Sequence, residues 1–438
     1  MNNIFSKNNF ISFIVTSFII LVLSEVLLAQ NTDKFVFGGY LRSGFGLDDK
    51  GKAMSHFMAP NAESKYRLGN EAETYLETIF SYLTENESGA TFDTRILLAM
   101  VTPMNQTNQA VTTTSLREAY VVAKGVWGAH PEAGFWAGQR YYDRHDIHIT
   151  DFIYRDMSGF GGGIEDFEIG DFKLALAYLG GSFDQLSPSG TPYADEDFVI
   201  NKSSLDLRLY DINTPLGILG LTSTFSFLNG DSIVTEEGIF TVTDSKGWSV
   251  GIFHVLPIDK EDSRNKLNIF YGTGAAQNYR SVMNAPLGVS VEPGGTYNPD
   301  DIIRLRVIND LMINFSHKFA LQHAILYQNL DNGLSNNGQF TWFSMGLRPI
   351  WHFNKYMSLA MEFGWDYTKQ NGGDSGSLFK ITLAPQITPS TTAMSRPALR
   401  LFVTYAFWSD TFKGKVSPFS YGNQTNGLTI GIQAETWW

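Results

Sequence analysis

The densest cluster of titratable side chains in this 438-residue sequence lies between Arg140 and Gly163, in the stretch RYYDRHDIHITDFIYRDMSGFGGG. Its two histidines, His145 and His148, and the aspartates beside them are of types that bind metal ions. On a strand or an extended loop, side chains three positions apart point to opposite faces, so the two histidines do not share a site. We therefore predict no metal ion here and no other cofactor.

The sequence shows no pattern typical of a catalytic centre. The glycine run from Gly159 to Gly163 is not followed by a helical pattern, so it does not indicate a phosphate-binding loop. The same stretch contains no serine-histidine-acid spacing and no nucleophile elbow. The absence of cysteine excludes thiolate zinc sites and cysteine nucleophiles. A glycosidase would need two carboxylates across a cleft, which spacing alone does not show. We predict that the protein is not an enzyme.

A second group of residues alternates aromatic rings with charged side chains. The alternating sets are Tyr40 with Arg42, Glu73 with Tyr75 and Glu77, and Glu435 with Trp437. Because strand side chains alternate between two faces, each set shares one face if its segment is a strand. Aromatic planes beside charged groups suit sugars, whose C–H faces pack on the ring while their hydroxyls form hydrogen bonds. Each ring could equally serve only to fill space inside the fold.

These residues lie in segments of period two that recur along the chain. In the last segment Leu428, Ile430 and Ile432 fall on one face, and Thr429 and Gln433 on the other. About 18 such segments begin near residues 35, 71, 91, 115, 134, 161, 172, 199, 217, 247, 266, 302, 319, 340, 356, 377, 398 and 428. Short connections alternate with long polar ones, as in an up-and-down barrel with periplasmic turns at one rim and external loops at the other.

The composition agrees with an all-β chain. It contains 33 Phe, 19 Tyr, 9 Trp and 41 Gly but only 15 Pro, an excess of strand and turn formers. Only 17% of the residues are charged and the formal net charge is -12. An acidic chain lacks the basic patches that nucleic acids require, so we predict no nucleic-acid partner.

The first 29 residues predict a signal peptide, with a polar start followed by the apolar run from Phe10 to Ala29. An uncleaved membrane anchor is the alternative, since the run is long enough to span a bilayer. Either reading places residues 30–438, predicted to form a single domain, outside the cytoplasm.

The strand pattern favours a transmembrane antiparallel β-barrel of about 18 strands. Aromatic residues such as Trp342, Trp351, Trp365 and Trp408 gather near strand ends, as interfacial girdles do, and Trp438 ends the last strand without a polar tail. In such a barrel the charged stretch after Arg140 is best interpreted as a pore-lining segment folded inward. A large soluble all-β protein, which would also alternate, remains the other interpretation.

Several stretches are shared in order with one known family. They are FVFGGYLRSGFG (35–46), SKYRLGNEAETYLE (64–77), LREAYV (116–121), FWAGQRYYDRHDIHITDFIYRDMSG (135–159), GLRPIWHF (346–353), MEFGWD (361–366), KITLAPQ (380–386), SRPALRLFVTYAFW (395–408) and QAETWW (433–438). The chain resembles the maltoporin family of sugar-specific porins of the bacterial outer membrane. The resemblance implies an 18-stranded barrel in outer-membrane lipid that forms homotrimers, with the third external loop bent inward as a constriction.

The resemblance also implies which residues meet the sugar. By position, Tyr40, Tyr75 and Trp437 would be the aromatic path, and the polar track beside it would be Arg42, Arg67, Glu77, Arg117, Arg144, Asp146 and Asp151. This chain departs from the family at the constriction, where Ile153 replaces a tyrosine, and at the periplasmic end, where Met394 and Arg264 replace aromatics. The tryptophan that the family donates to a neighbouring subunit has no counterpart in residues 101–114.

The function expected from these features is passive diffusion of oligosaccharides of the maltose and maltodextrin type along the aromatic path and polar track. The departures keep a general porin, or one selective for sucrose-like or other glycans, as an alternative. A secreted soluble glycan-binding β protein is the alternative from another class.

Overall fold

The computed structural model describes residues 34–103, 113–184, 199–235, 238–259, 263–281, 296–333 and 338–438. The predicted signal peptide, residues 1–29, lies outside these ranges. Within them, no helix is long and apolar enough to cross a bilayer. No group of three or more metal-binding side chains occurs in the same ranges.

In the described part of the chain, eighteen long strands form one sheet and five short strands belong to the loops. In chain order the strands are β1 (Lys34–Asp48), β2 (Glu73–Glu85), β3 (Thr91–Pro103), β4 (Thr113–Lys124), β5 (Gly134–Arg140), β6 (Arg144–Ile147), β7 (Phe152–Asp156), β8 (Gly159–Ile169), β9 (Phe172–Asp184), β10 (Val199–Thr214), β11 (Gly217–Asn229), β12 (Ser232–Thr235), β13 (Gly238–Val242), β14 (Ser245–Pro257), β15 (Arg264–Thr273), β16 (Thr296–Tyr297), β17 (Ile303–Ser316), β18 (Phe319–Asp331), β19 (Gln339–His352), β20 (Met357–Gln370), β21 (Ser375–Ile387), β22 (Ala398–Trp408) and β23 (Asn426–Trp437). Of these, β6 pairs with β7, and β12, β13 and β16 form a small separate sheet. The helical segments are a short α1 (Pro418–Tyr421) and the 3₁₀ turns Gly274–Ala276, Pro299–Asp301 and Asp410–Phe412.

The large sheet closes on itself as an antiparallel barrel. Each long strand pairs with the next long strand in the chain, and β23 pairs with β1. The last strand thereby lies beside the first, with Trp437 opposite Tyr40 and Glu435 opposite Arg42. The predicted fold class is confirmed. Each barrel strand also begins within about two residues of its predicted start, as at Thr91 and Phe172.

The two faces of each strand meet different surroundings. On β22 the outward side chains Leu399, Leu401 and Val403 are exposed, whereas the alternate residues Arg400, Phe402 and Thr404 face inward and are buried. A continuous belt of exposed Leu, Ile, Val and Phe is the surface that lipid covers on an outer-membrane barrel. It argues against the soluble alternative, since soluble proteins rarely expose apolar patches of this extent.

The aromatic girdle predicted from the sequence is correct only in part. Trp351 and Trp438 lie on the outer surface and are about half exposed. Trp342 and Trp408 instead point inward and are buried, at 3% and 5% exposure. Both pack against inward-folded loops, Trp342 on Phe152 and Trp408 on Phe57. Strand parity rather than position near a strand end decides which surface an aromatic residue meets.

Two loops from the long-loop end fold into the barrel. Loop 3 (residues 141–158), which carries β6 and β7, packs inside as the family resemblance implies. Loop 1 (residues 49–72) also folds inside, which the sequence analysis missed. Its Tyr66 ring fills the space left by Gly346 and Gly364 on the inner wall, and its hydroxyl is 2.9 Å from Ser344 Oγ.

Candidate functional site

One face of loop 3 is fixed to the barrel wall by aromatic packing and a buried charge network. Phe152 packs edge-on to Trp342 with the ring centroids 5.1 Å apart, and Tyr154 packs on Phe270 at 5.9 Å. The fully buried Arg155 donates a hydrogen bond to Asp206 Oδ1 (2.5 Å) of β10. A buried guanidinium is tolerated only when such partners replace its water. The loop is therefore held rigidly against one side of the lumen.

The opposite face of loop 3 meets the open part of the lumen. Arg144, Asp146 and Asp151 are exposed on this face, and Ile153 is half-buried. The β6–β7 register places Asp146 opposite Ile153. All four residues were singled out from the sequence, and the structure brings Asp146 and Ile153 side by side inside the barrel.

An aromatic and acidic centre lies where loop 3 approaches β2. Glu77 Oε1 accepts a hydrogen bond from the Tyr75 hydroxyl (2.6 Å) and another from the Tyr141 hydroxyl (3.2 Å). The Arg144 guanidinium stacks 4.5 Å from the centroid of the Tyr141 ring. Burial, then the Glu77 charge, raises the pKa of Tyr141 to about 12, so this phenol keeps its proton at neutral pH. The two rings are thus held in place by their hydroxyls while remaining partly exposed.

Barrel closure arranges the remaining predicted residues in two rows across β23, β1 and β2. Trp437, Tyr40 and Glu77 occupy one row of register partners. Glu435, Arg42 and Tyr75 occupy the next. Side chains directly opposite on neighbouring strands lie within contact distance, and the Tyr40 and Tyr75 centroids are 6.0 Å apart. Residues nearly 400 positions apart in the chain therefore line one patch of the wall.

A charged cluster supports this patch from beneath. Arg42 Nη1 contacts Glu71 (3.0 Å) and Asp151 (3.4 Å), and Arg67 donates to the Tyr40 hydroxyl (2.7 Å). Tyr40 in turn donates to Glu435 Oε1 (3.1 Å). Burial alone would raise the pKa of Asp151, but the Arg67 and Arg42 charges lower it, so this exposed carboxylate stays ionised.

Trp437 faces the lumen at the short-turn end, as strand parity predicts. Trp437 is 37% exposed. The Arg396 guanidinium stacks 4.5 Å from its ring centroid, and His148 meets it edge-on at 6.1 Å. Arg396 is itself tied to Glu435 at 2.7 Å. One aromatic face is thus covered by a cation, which the sequence analysis did not foresee.

The remaining predicted residues differ in their surroundings. Arg117 is the extra residue of a β-bulge on β4 and is exposed. Arg67 is buried at 6% exposure and contacts protein groups rather than the open lumen. Met394 packs into the wall beside Gln322, whose amide nitrogen is 3.3 Å from its sulfur. Residues 104–112, most of the second loop, lie outside the described residues.

Sequence reasoning missed two contributors. Tyr141 stands next to Tyr142 in the charged stretch, and only the loop conformation shows that Tyr141 is half-buried beside Glu77 while Tyr142 is buried against the wall. Arg396 lies in the turn 388–397, which extends back into the lumen. No spacing in the sequence links either residue to the site.

A closed barrel with an apolar outer belt and exposed charged groups inside defines an outer-membrane porin, a channel rather than an enzyme. The comparison with protein families agrees with this class. The model of the LamB porin family matches residues 35–438, and the chain belongs to that family. The protein is therefore located in the bacterial outer membrane.

Solved structures of other porins show overall similarity at low sequence identity. OpdQ of Pseudomonas aeruginosa has a TM-score of 0.45 and 10% identity, covering 93% of this chain and 99% of that chain. OccAB1 of Acinetobacter baumannii has a TM-score of 0.47 and 11% identity, covering 92% and 96%. The trimer form of OmpT of Vibrio cholerae has a TM-score of 0.39 and 10% identity, covering 93% and 100%.

Proposed function

We propose that the protein is a channel for passive diffusion of oligosaccharides, of the maltose and maltodextrin type, along the patch formed by Tyr40, Tyr75 and Trp437. The observation that carries this proposal is the centre at Glu77, where two partly exposed tyrosine rings are fixed by one carboxylate. Rigid aromatic planes bind sugar rings at little entropic cost, because their orientation is already set.

The charged side chains beside these rings supply the hydrogen bonds that a sugar loses with its water. Arg144 and Asp146 offer donors and acceptors on the loop 3 face, while Glu77 offers a carboxylate on the β2 wall. Replacing water in this way lowers the desolvation cost of entering a narrow lumen. Because each contact is weak and repeated, the sugar is released as readily as it is bound, which passive diffusion requires.

A porin selective for other glycans is the second candidate. It is favoured by the short-turn end, where Arg396 covers one face of Trp437 and Met394 is packed into the wall. The aromatic path is consequently shorter there than in the family pattern. A linear glucan would have fewer stacking positions here. A smaller or differently shaped saccharide would lose less binding free energy from the shorter path.

Conductance of single channels in planar bilayers, titrated with maltodextrins and with sucrose, tests the proposal. We expect maltodextrins to block the ion current, and Tyr75→Ala to weaken this block about fivefold, since one aromatic contact contributes about 1 kcal/mol. The lipid-facing Tyr405, 43% exposed on β22, provides the matched control, and Tyr405→Ala should leave the block unchanged. Block by sucrose alone would favour the second candidate, and no block by any sugar would contradict both.

We further propose that the protein is a homotrimer assembled through the outer face of β1 to β3. Phe35, Phe37 and Phe45 are exposed on this face as in the rest of the apolar belt. Small polar residues interrupt the belt here, and Ser43 Oγ lies 2.7 Å from Thr74 Oγ1 on the outer surface. Paired hydroxyls are better suited to a protein interface than to acyl chains. The mass of the detergent-solubilised protein tests this, and a monomer under mild extraction would contradict it.

A further inference from the structure

A second cavity lies on the other side of loop 3 from the aromatic patch. It has a volume of about 230 Å³ and is open on one side. Its lining combines His145 of loop 3 with Tyr210 of β10, Gly220 of β11 and Phe253 of β14. These strand positions are close to the short-turn end of the lumen. The cavity is smaller than the pockets of about 300 Å³ or more that hold drug-sized molecules, and its size suits a single ring.

The cavity exists because of a local irregularity in the sheet. Between the pairs Leu209–Leu221 and Ile212–Leu219, the two residues Tyr210 and Asp211 stand opposite the single residue Gly220. Such bulges re-aim side chains and often occur beside functional sites. Here the bulge leaves Gly220, without a side chain, as the floor.

Packing does not require a glycine at position 220. An added Cβ would meet its nearest atom, the Cβ of Phe253, at 3.6 Å, which is an ordinary contact. In contrast, a Cβ at Gly346 would lie 2.0 Å from the Tyr66 ring. Glycine at position 220 therefore keeps the space above it open and is not needed for packing of the sheet.

The aromatic side chains of the cavity are fixed by neighbouring groups. The Tyr210 hydroxyl donates to Asp166 Oδ1 (3.0 Å) and accepts from the Asp166 backbone amide (2.7 Å). Phe253 packs edge-on to Phe270 at 5.1 Å and is only partly buried. The His145 ring lies 4.6 Å from the Phe253 ring. The rings of Tyr210, Phe253 and His145 are thus held in fixed orientations around the cavity.

Polar groups for hydroxyl recognition surround these rings. Arg208 Nη1 is paired with Asp143 Oδ1 at 3.0 Å, whereas its buried Nε–H has no hydrogen-bond partner among the described residues. Asp206 Oδ2 lies 3.6 Å from that nitrogen, beyond hydrogen-bond distance. A buried donor without a partner is costly and indicates a position where a ligand or water completes the site.

We propose that this cavity is a second saccharide subsite, which binds one sugar ring on the short-turn side of loop 3. The inference rests on the proposed function, because it assigns the same substrate class to a separate part of the lumen. Phe253 and Tyr210 supply the stacking surface. Arg208 and Asp211, whose Oδ2 is paired with Lys173 at 3.0 Å, supply hydrogen bonds to hydroxyls. The subsite provides aromatic contacts at the end of the channel where Met394 and Arg264 interrupt the path.

Two variants test the subsite in the full-length channel. Phe253→Leu keeps apolar volume but removes the flat ring, and Gly220→Val fills the cavity from its floor. We expect each to weaken maltodextrin block about fivefold, the effect of losing one aromatic contact. Phe225→Leu changes a lipid-facing ring on β11, 55% exposed, and should leave the block unchanged.

Crystals soaked with maltotriose provide a readout that is independent of the current. Density for a sugar ring against Phe253 in the wild-type protein, and its loss in Gly220→Val, would support the subsite. If Tyr75→Ala weakens block while both cavity variants bind as the wild type does and the soaked cavity holds no sugar, the subsite is wrong and the channel function stands. If no sugar blocks the wild-type channel and none binds in the crystal, the proposed function fails as well.

Discussion

The lumen has two walls with similar inward side chains, but these side chains are buried on one wall and partly exposed on the other. On β19 to β22, polar inward residues such as Ser344, Glu362 and Thr404 are buried. On β2, the inward residues Tyr75 and Glu77 remain partly exposed. Both walls alternate polar and apolar residues, so the strands alone do not distinguish them. The difference shows that the passage is defined by where the loops dock, rather than by the barrel that surrounds it.

Loop 1 covers the packed wall through specific anchors. Glu362 accepts hydrogen bonds from the Leu68 backbone amide (3.1 Å), Arg348 Nε (2.7 Å) and Lys380 Nζ (2.8 Å). Lys380 also donates to the Leu68 carbonyl at 2.7 Å. Burying these charges is unfavourable unless every one is paired, so the network specifies a single position for the loop.

The largest effect is expected from removing the carboxylate that anchors loop 1 to the packed wall. Glu362→Ala leaves Arg348 and Lys380 as buried cations without their carboxylate, which costs about 3–5 kcal/mol of folding free energy. We expect a lower unfolding temperature and a larger single-channel conductance, because loop 1 loses its anchor. Asp374→Asn, which removes an exposed ion pair with Lys415, is the matched control and should change stability by about 1 kcal/mol or less. An unchanged conductance in Glu362→Ala would show that loop 1 does not set the width of the passage.

A smaller effect is expected from adding an aromatic ring to the open wall. Ile153 is half-buried on the passage side of loop 3, and its carbonyl accepts a hydrogen bond from Arg280 (3.1 Å). Ile153→Tyr adds an aromatic plane facing the lumen without altering this backbone contact. We expect maltodextrin block to strengthen about fivefold in bilayer recordings. Ile153→Leu, which adds no ring, serves as the control. Equal block in both variants would show that an aromatic ring at position 153 does not determine sugar affinity.

The fold was largely predictable from the sequence, because strand side chains alternate with a period of two. The strand count, the strand starts and the inward orientation of Tyr40 and Trp437 all follow from this alternation. Trp342 and Trp408 were assigned to the outer girdle from their position near strand ends, whereas their parity places them on the inner face, where they are buried.

The candidate site depended on contacts that no local pattern contains. The resemblance to a family supplied Arg144, Asp146 and Asp151, but not the role of Tyr141, which depends on how loop 3 turns toward Glu77. Nor did spacing indicate that Arg396 would stack on Trp437. Loop conformation follows from long-range docking, and docking is not encoded in local periodicity.

By itself the sequence determined a barrel with an oily exterior and a polar, aromatic-bearing interior, since each strand sorts its own side chains between two faces. Only the tertiary structure decided which part of that interior stays open. Closure of β23 on β1 joined the two ends of the chain into one patch, and the docking of loops 1 and 3 closed the opposite wall. The physical reason is that burial of charged and aromatic groups depends on partners far away in the chain, and these meet only after the barrel has closed.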